Sequence, residues 1–271
     1  MTTPHLHAPV HMLERSRLHW VIADTLVLTT RSLRHIPRVP EQLIFATINP
    51  VIFVLLFHYV FGGAIDTPGV SYTDFLMAGI FVQTVAFGAV NSGVGLAEDM
   101  QRGLIDRFRT LPMSPSAVLS GRILADMARN SLIIVVGVLV GLAVGFRPTA
   151  GPSGWIAAIA LLLLVSLTFS WVSSTIGLMV QNAEAAQSAN YLWLLPLTFA
   201  SSAFVPPESM PSGLRAFAEY QPITVIVDAV RAFLLDGQLG WSGWGAFGWC
   251  IAIISVCIPI AVGRFTARAA R

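Results

Sequence analysis

The side chains able to do chemistry are few, and one type is missing. All 16 basic residues among the 271 are arginine. A phosphate-cradling P-loop reads G-x-x-x-x-G-K-[ST], and its lysine reaches the nucleotide phosphates. A chain without lysine carries no ordinary P-loop and no Schiff-base lysine. If ATP drives this protein, another chain hydrolyses it. His5, His7 and His11 sit in a terminal stretch without cysteine partners, and no metal site is expected there. Cys250 and Cys257 are the two cysteines. Seven residues of helix separate them by about 10 Å, too far for a disulfide. No HExxH, nucleophile elbow or paired acidic site appears, which ranks a membrane enzyme lowest.

Charge is concentrated. From Glu98 to Arg122, 25 residues hold seven of the chain's 30 charged side chains. Leu104, Phe108 and Leu111 fall at i, i+4 and i+7, one face of a helix, while Arg102, Asp106, Arg107 and Arg109 take other positions. Pro112 stops that pattern; Ser114 and Pro115 are suited to start a new helix. Glu98 and Asp99 would oppose the dipole at the end of a preceding helix and favour it at the start of a new one, by about 0.3–1 kcal/mol each. The chain is therefore expected to turn near Ala97, with Glu98–Leu111 a short amphipathic helix. A helix of two or three turns is unstable alone in water and needs a lipid or protein surface; the plainer alternative is a solvated loop. Asp228 and Arg231, three apart in an apolar run, can pair on one face. They are candidates for an external gate, or a surface ion pair worth little.

The chain is 55% hydrophobic and 11% charged, with a mean hydropathy of +0.73. That marks an integral membrane protein, since soluble domains carry about 25% charged residues. Continuous apolar runs argue for helices rather than a barrel. Six spans are expected: Ile44–Phe61, Phe75–Leu96, Leu119–Phe146, Trp155–Val180, Ala185–Phe204 and Trp241–Gly263. With the N-terminus in the cytoplasm, thirteen arginines fall inside and Arg147, Arg215 and Arg231 outside. Both termini are then cytoplasmic. The first 40 residues hold charges throughout and no isolated apolar core, so no secretory signal is expected. Residues 12–40 read as an amphipathic interfacial helix, with Leu18, Ile22, Leu26 and Leu33 at roughly helical spacing and Trp20 as an interfacial ring. Residues 205–239 are too short an apolar segment to span and read as extracellular and re-entrant. Inside the spans, Gln83, Phe87 and Asn91 on the second and Trp193, Phe199 and Phe204 on the fifth are candidates for a substrate path, though helix packing also uses such residues. Gly137, Gly141 and Gly145 form a small-xxx-small ridge suited to close helix packing.

The string GLAEDMQRGLIDRFRTLPMSPSAVLSGRILAD resembles the cytoplasmic signature of ABC-2 type transporter permeases, and more closely the daunorubicin-resistance permease group of actinobacteria. RHIPRVPEQLIFATINPVIFVLLFHYVFGGAI, SYTDFLMAGI and SSAFVPPESMPSGLRAFAEYQPITVIVDAVRAFLLDG agree, so the likeness covers about Arg31 to Phe265. Met77-Ala78-Gly79 departs from the family, where proline is commoner before the glycine. The resemblance implies a six-helix, multi-pass cell-membrane subunit that dimerises with itself or a homologous permease and binds two ATPase subunits. ATP and Mg would belong to those partners, with no cofactor on this chain and no nucleic-acid partner. It also implies that the short cytoplasmic helix is the coupling helix, seated in a groove of the ATPase. Its candidate residues are Glu98, Asp99, Arg102, Leu104, Arg107, Phe108 and Leu111.

Two function classes compete. One is the membrane subunit of an ATP-driven exporter of a hydrophobic drug or lipid, with polysaccharide or lipid-linked glycan as the alternative cargo. The other is an ion-coupled secondary carrier, which would place ionisable residues inside the bundle. The centres of the expected spans hold no Asp, Glu or Arg, which weighs against a carrier.

Overall fold

The computed structural model describes residues 40–63, 65, 67, 69–102, 115–235, 237 and 239–269. Among them the chain is all helix and connection, with no strand. The helices are α1 (Pro40–Leu56), continued by a π-helical turn at Phe57–Phe61, α2 (Tyr72–Gln101), α3 (Pro115–Val144), α4 (Pro152–Met179), α5 (Ala183–Phe199), α6 (Ser212–Tyr220), α7 (Pro222–Leu234) and α8 (Gly240–Ala269). Four of these, α2, α3, α4 and α8, contain segments long and apolar enough to cross a membrane. Against the six expected spans, α1 offers only a shorter apolar segment, Thr47–Phe61, and α5 has 17 residues. The expected interfacial helix at 12–40 lies, but for Pro40, outside the described residues.

Local chemistry sets the helix ends. The Ser71 hydroxyl caps α2 by accepting the Asp74 N–H at 3.1 Å. Asn182 does the same for α5 through the Ala185 N–H at 2.7 Å. The α3 helix ends at Gly145, whose φ of 106° is one that side-chain-bearing residues avoid. There the Phe146 N–H reaches the Gly141 carbonyl at 2.9 Å and the Gly145 N–H the Leu142 carbonyl at 3.3 Å, a Schellman closure.

The most extensive helix pair is α2 with α4. Glycine lets them touch backbone to backbone: a β-carbon on Gly93 would overlap the Ser173 carbonyl, and one on Gly177 the Gly93 carbonyl. The Ser173 hydroxyl bridges the two, donating to the Val90 carbonyl at 3.0 Å and accepting the Gly93 N–H at 3.1 Å. The ridge expected on α3 behaves differently. A β-carbon on Gly137 would sit in ordinary contact with the Phe81 ring, one on Gly141 would overlap the Met77 side chain, and Gly145 forms the helix stop.

Two helix ends differ from expectation. The α2 helix does not turn at Ala97 but runs on to Gln101, so Glu98 and Asp99 close it instead of opening the next helix. Arginine supplies the reason: Arg102 pairs with Glu98 at 3.5 Å and Arg122 of α3 pairs with Asp99, offsetting their unfavourable place on the dipole. The α5 helix stops at Phe199, and residues 200–204 form a turn pressed on α2, where a β-carbon on Gly79 would overlap the Ala203 carbonyl.

Candidate functional site

Two polar clusters lie at opposite ends of α2. The first lies where α2 ends and α3 begins. Arg122, Asp126, Arg129 and Asn130 recur at i, i+4, i+7 and i+8, one face of α3. Each meets a neighbouring helix. Arg122 pairs with Asp99. Asp126 accepts the Ser92 hydroxyl at 2.5 Å and pairs with Arg129 at 2.9 Å. Arg129 also donates to the Gly88 carbonyl at 3.5 Å, and Asn130 donates to Ser166 of α4 at 3.0 Å. Asp126 is 8% exposed and Asn130 1%. Glycines on α2 make the room: β-carbons on Gly88 and Gly95 would overlap the Asn130 and Arg122 side chains.

Of these residues Arg122 stood out in the sequence, as the end of the charged stretch from Glu98, and none was given a role. The signal was present in their helical spacing and in Gly88 and Gly95, two turns apart on the preceding helix. The expectation of no ionisable group in the centre of a span also needs restating. Asp126 and Arg129 are near the middle of α3 by residue count, because its 30 residues exceed a hydrocarbon core. Thirty residues rise about 45 Å against a core of about 30 Å, so one end of α3 extends beyond it.

Of the seven expected coupling residues, Glu98, Asp99 and Arg102 are at the end of α2, while Leu104, Arg107, Phe108 and Leu111 lie outside the described residues. The expected path residues divide. Phe87 contacts Tyr191 of α5 with ring centres 5.8 Å apart. Asn91 donates to the Gly88 carbonyl at 3.1 Å, and Gln83 is buried. Trp193 packs on Phe169 at 5.7 Å. Phe199, 50% exposed, stacks at 5.5 Å on buried Phe204, which in turn stacks on Phe57 at 4.4 Å. None of the six lines the apolar cavity of about 280 Å³ between α3 and α4, which is bounded by Phe81, Trp155 and Leu234.

The second cluster is at the other end of α2, and Asp228 and Arg231 of α7 form its centre. Their ion pair is 2.6 Å long. The guanidinium also donates from Nε and Nη2 to the Phe75 carbonyl, both at 3.2 Å, and from Nη2 to the Ser202 carbonyl at 2.7 Å. It lies 3.7 Å above the Phe75 ring. Asp228 accepts the Ser202 hydroxyl at 2.7 Å. One cation thus fastens α2, the 200–204 turn and α7. Burial pushes the Arg231 guanidinium down, to about 10, and Asp228 pulls it up; it stays charged at neutral pH. On exposed α6, Glu219 raises Arg215 through a 2.6 Å hydrogen bond and its charge.

Hydrogen bonds fix the course of α7. Gln221 at its start donates to the Leu197 carbonyl, within α5, at 3.0 Å. The Leu234 carbonyl at its end accepts the Ala150 N–H of the α3–α4 connection at 3.2 Å. The helix therefore runs from the last turn of α5 to the end where α3 and α4 join. Tyr72 donates to the Phe204 carbonyl at 3.2 Å and Thr224 accepts the Ser202 N–H at 3.1 Å, satisfying the non-helical backbone of the turn.

The model of the ABC-2 type transporter family matches residues 23–235. This chain belongs to that family. It is 33% identical to the daunorubicin resistance ABC transporter permease protein DrrB1 of Streptomyces coeruleorubidus over 228 residues, 84% of this chain and 80% of the relative. It is 25% identical to the doxorubicin resistance ABC transporter permease protein DrrB of Mycobacterium tuberculosis (strain ATCC 25618 / H37Rv) over 205 residues, 71% of each. Both polar clusters of this ABC-2 chain fall inside the matched residues.

Proposed function

We propose that the chain is the membrane subunit of an ATP-binding-cassette exporter. It would move a hydrophobic or amphiphilic drug or lipid outward with ATP hydrolysed by a separate subunit. The observation that carries this reading is the pairing of a lysine-free sequence with a charged α2–α3 end beside a short connection, residues 102–114. The first leaves the chain without an ordinary P-loop; the second gives an ATPase a surface to engage. The names of the relatives favour drug cargo over polysaccharide.

In this reading six segments cross the bilayer, with α1 and α5 as the shorter two. Both termini and residues 98–111 face the cytoplasm, and 98–111 docks on the ATPase. The permease works with a second copy of itself or a homologous permease. Residues 205–239 form an outer re-entrant segment, supported by the way α7 runs from Leu197 to Ala150. Arg231 then closes the outer end. On α5, buried Trp193 Nε1 and Asn190 Oδ1 have no partner among the described residues. Both atoms are sealed inside the packed helices, so they would meet the cargo only if the packing around α5 opens during transport.

Reconstitution tests the reading. Vesicles holding the permease and its ATPase subunit should export a fluorescent anthracycline with ATP and not with a pH gradient alone. The permease by itself should hydrolyse no ATP. Transport driven by a pH gradient without ATP would replace the reading with an ion-coupled carrier. Cysteines placed at Ser114 and Arg264 should label from the cytoplasm and one at Ser212 from outside; the reverse pattern would remove the docking surface.

A further inference from the structure

We infer that α2 and α3 are locked together as one lever, which carries displacement of residues 103–114 into the bundle as far as Ser92 and Ser166. The inference rests on the proposed docking of an ATPase. It adds which residues make the lever stiff.

Three observations support it. The first is location. The 102–114 connection joins the C-terminal end of α2 directly to the N-terminal end of α3, so a push on it enters the bundle through these two helices. The second is the interlock. From Arg122 to Asn130, about 12 Å of helix, α3 contacts an α2 carboxylate, an α2 hydroxyl, an α2 carbonyl and an α4 hydroxyl in succession. Arg122 and Asn130 occupy the notches left by Gly95 and Gly88. For α3 to slide along α2, both side chains must leave their notches while Asp126 and Arg129 lose Ser92 and the Gly88 carbonyl. The third is division of the core. Leu96, Ile123, Trp171, Leu178, Ala261 and Phe265 form an apolar cluster separate from the main one. In sequence, the polar residues Ser92 on α2 and Asp126 and Asn130 on α3 fall between the buried members of the two clusters. The lever passes through this polar layer, where apolar packing alone would not hold its two helices in register.

The charge pair itself points the same way. Asp126 and Arg129 are on one helix and could satisfy each other wherever that helix lay. Keeping a charged pair this far from water is costly. What this position adds is the bond to Ser92 and the Gly88 carbonyl, and hence to α2.

The test measures distances between spin labels on the permease–ATPase complex, with Cys250 and Cys257 replaced by alanine. Labels at Gln101 and Leu124 report α2 against α3; labels at Gln101 and Arg264 report α2 against α8. On trapping with ATP and vanadate, the Gln101–Arg264 distance should shift by about 2 Å or more, while the Gln101–Leu124 distance stays fixed. Ser92→Ala and Gly88→Ala should each broaden the Gln101–Leu124 distribution before ATP is added. They keep both charges, so they avoid stranding Arg129. A Gln101–Leu124 distance that shifts as far as Gln101–Arg264, or distributions unaltered by both variants, would overturn the lever. Failure of any ATPase to bind the unaltered permease would count instead against the proposed function. The variant distributions, measured on the permease alone, would still decide the lever.

Discussion

The two ends of α2 solve opposite problems. At the Arg231 end, one guanidinium is held largely by main-chain carbonyls, those of Phe75 and Ser202. At the Asp126 end, side chains mainly meet side chains, across glycine notches. The first arrangement satisfies a non-helical turn pressed into a helical bundle, where unpaired carbonyls are expensive. The second joins helices whose own hydrogen bonds are complete. Removing the clasp should therefore disrupt backbone structure, whereas loosening the interlock should change how helices move.

The largest expected effect follows from this contrast. Arg231→Leu strands Asp228 and leaves the non-helical Ser202 carbonyl without its donor, and should destabilise the detergent-solubilised protein by about 3 kcal/mol. Arg231→Lys should rescue little, because an ammonium cannot serve three acceptors in the guanidinium's planar fork. Thermal unfolding followed by tryptophan fluorescence checks both; full rescue by lysine would reduce the clasp to a point charge.

Next comes the α2–α4 seam, which lies outside both clusters. Gly93→Ala places a methyl group against the Ser173 backbone, which cannot rotate away as a side chain could. A loss of about 1–3 kcal/mol is expected from overpacking, with helix content retained in circular dichroism. An unchanged melting temperature would show that α2 and α4 are not in backbone contact.

The smallest stability effect belongs to the Asp99–Arg122 pair. Both side chains are about one-third exposed, at 33% and 30%. Asp99→Asn should cost less than about 1 kcal/mol and less still in high salt. A loss as large as that of Arg231→Leu would erase the distinction between the two ends.

Much of the fold could be read from the sequence, for identifiable reasons. The run from Trp155 carries no charge for a full helix length, and α4 covers it. The shortness of α7 was legible too, as an apolar run from Pro222 too short to span, and the helix there has 13 residues. The end of α2 was not, because the argument from Glu98 and Asp99 used the helix dipole alone. Arg122, distant in sequence, reverses that balance. The stop of α5 depends on Gly79, 120 residues before Phe199, and no local signal marks that contact. At the site, Asp228 and Arg231 stood out as charges in an apolar run. Their carbonyl partners could not, since every residue has a carbonyl and only the fold selects which ones converge.

The central claim is that residues 98–111 dock an ATPase, and Phe108 gives its most direct test. On the amphipathic pattern Phe108 lies on the same face as Leu104 and Leu111. Phe108→Ala should cost about 2 kcal/mol of association if the ring is a buried anchor. Arg102→Ala and Arg107→Ala should weaken association in a salt-sensitive way, as rim charges do. The measurement is co-purification of permease and ATPase subunits at low and high salt, with membrane levels of each variant checked in parallel. The account predicts that Phe108→Ala inserts normally yet loses its ATPase partner at both salt concentrations. Normal assembly and normal transport by Phe108→Ala would contradict it, and the coupling surface would have to lie elsewhere on the chain.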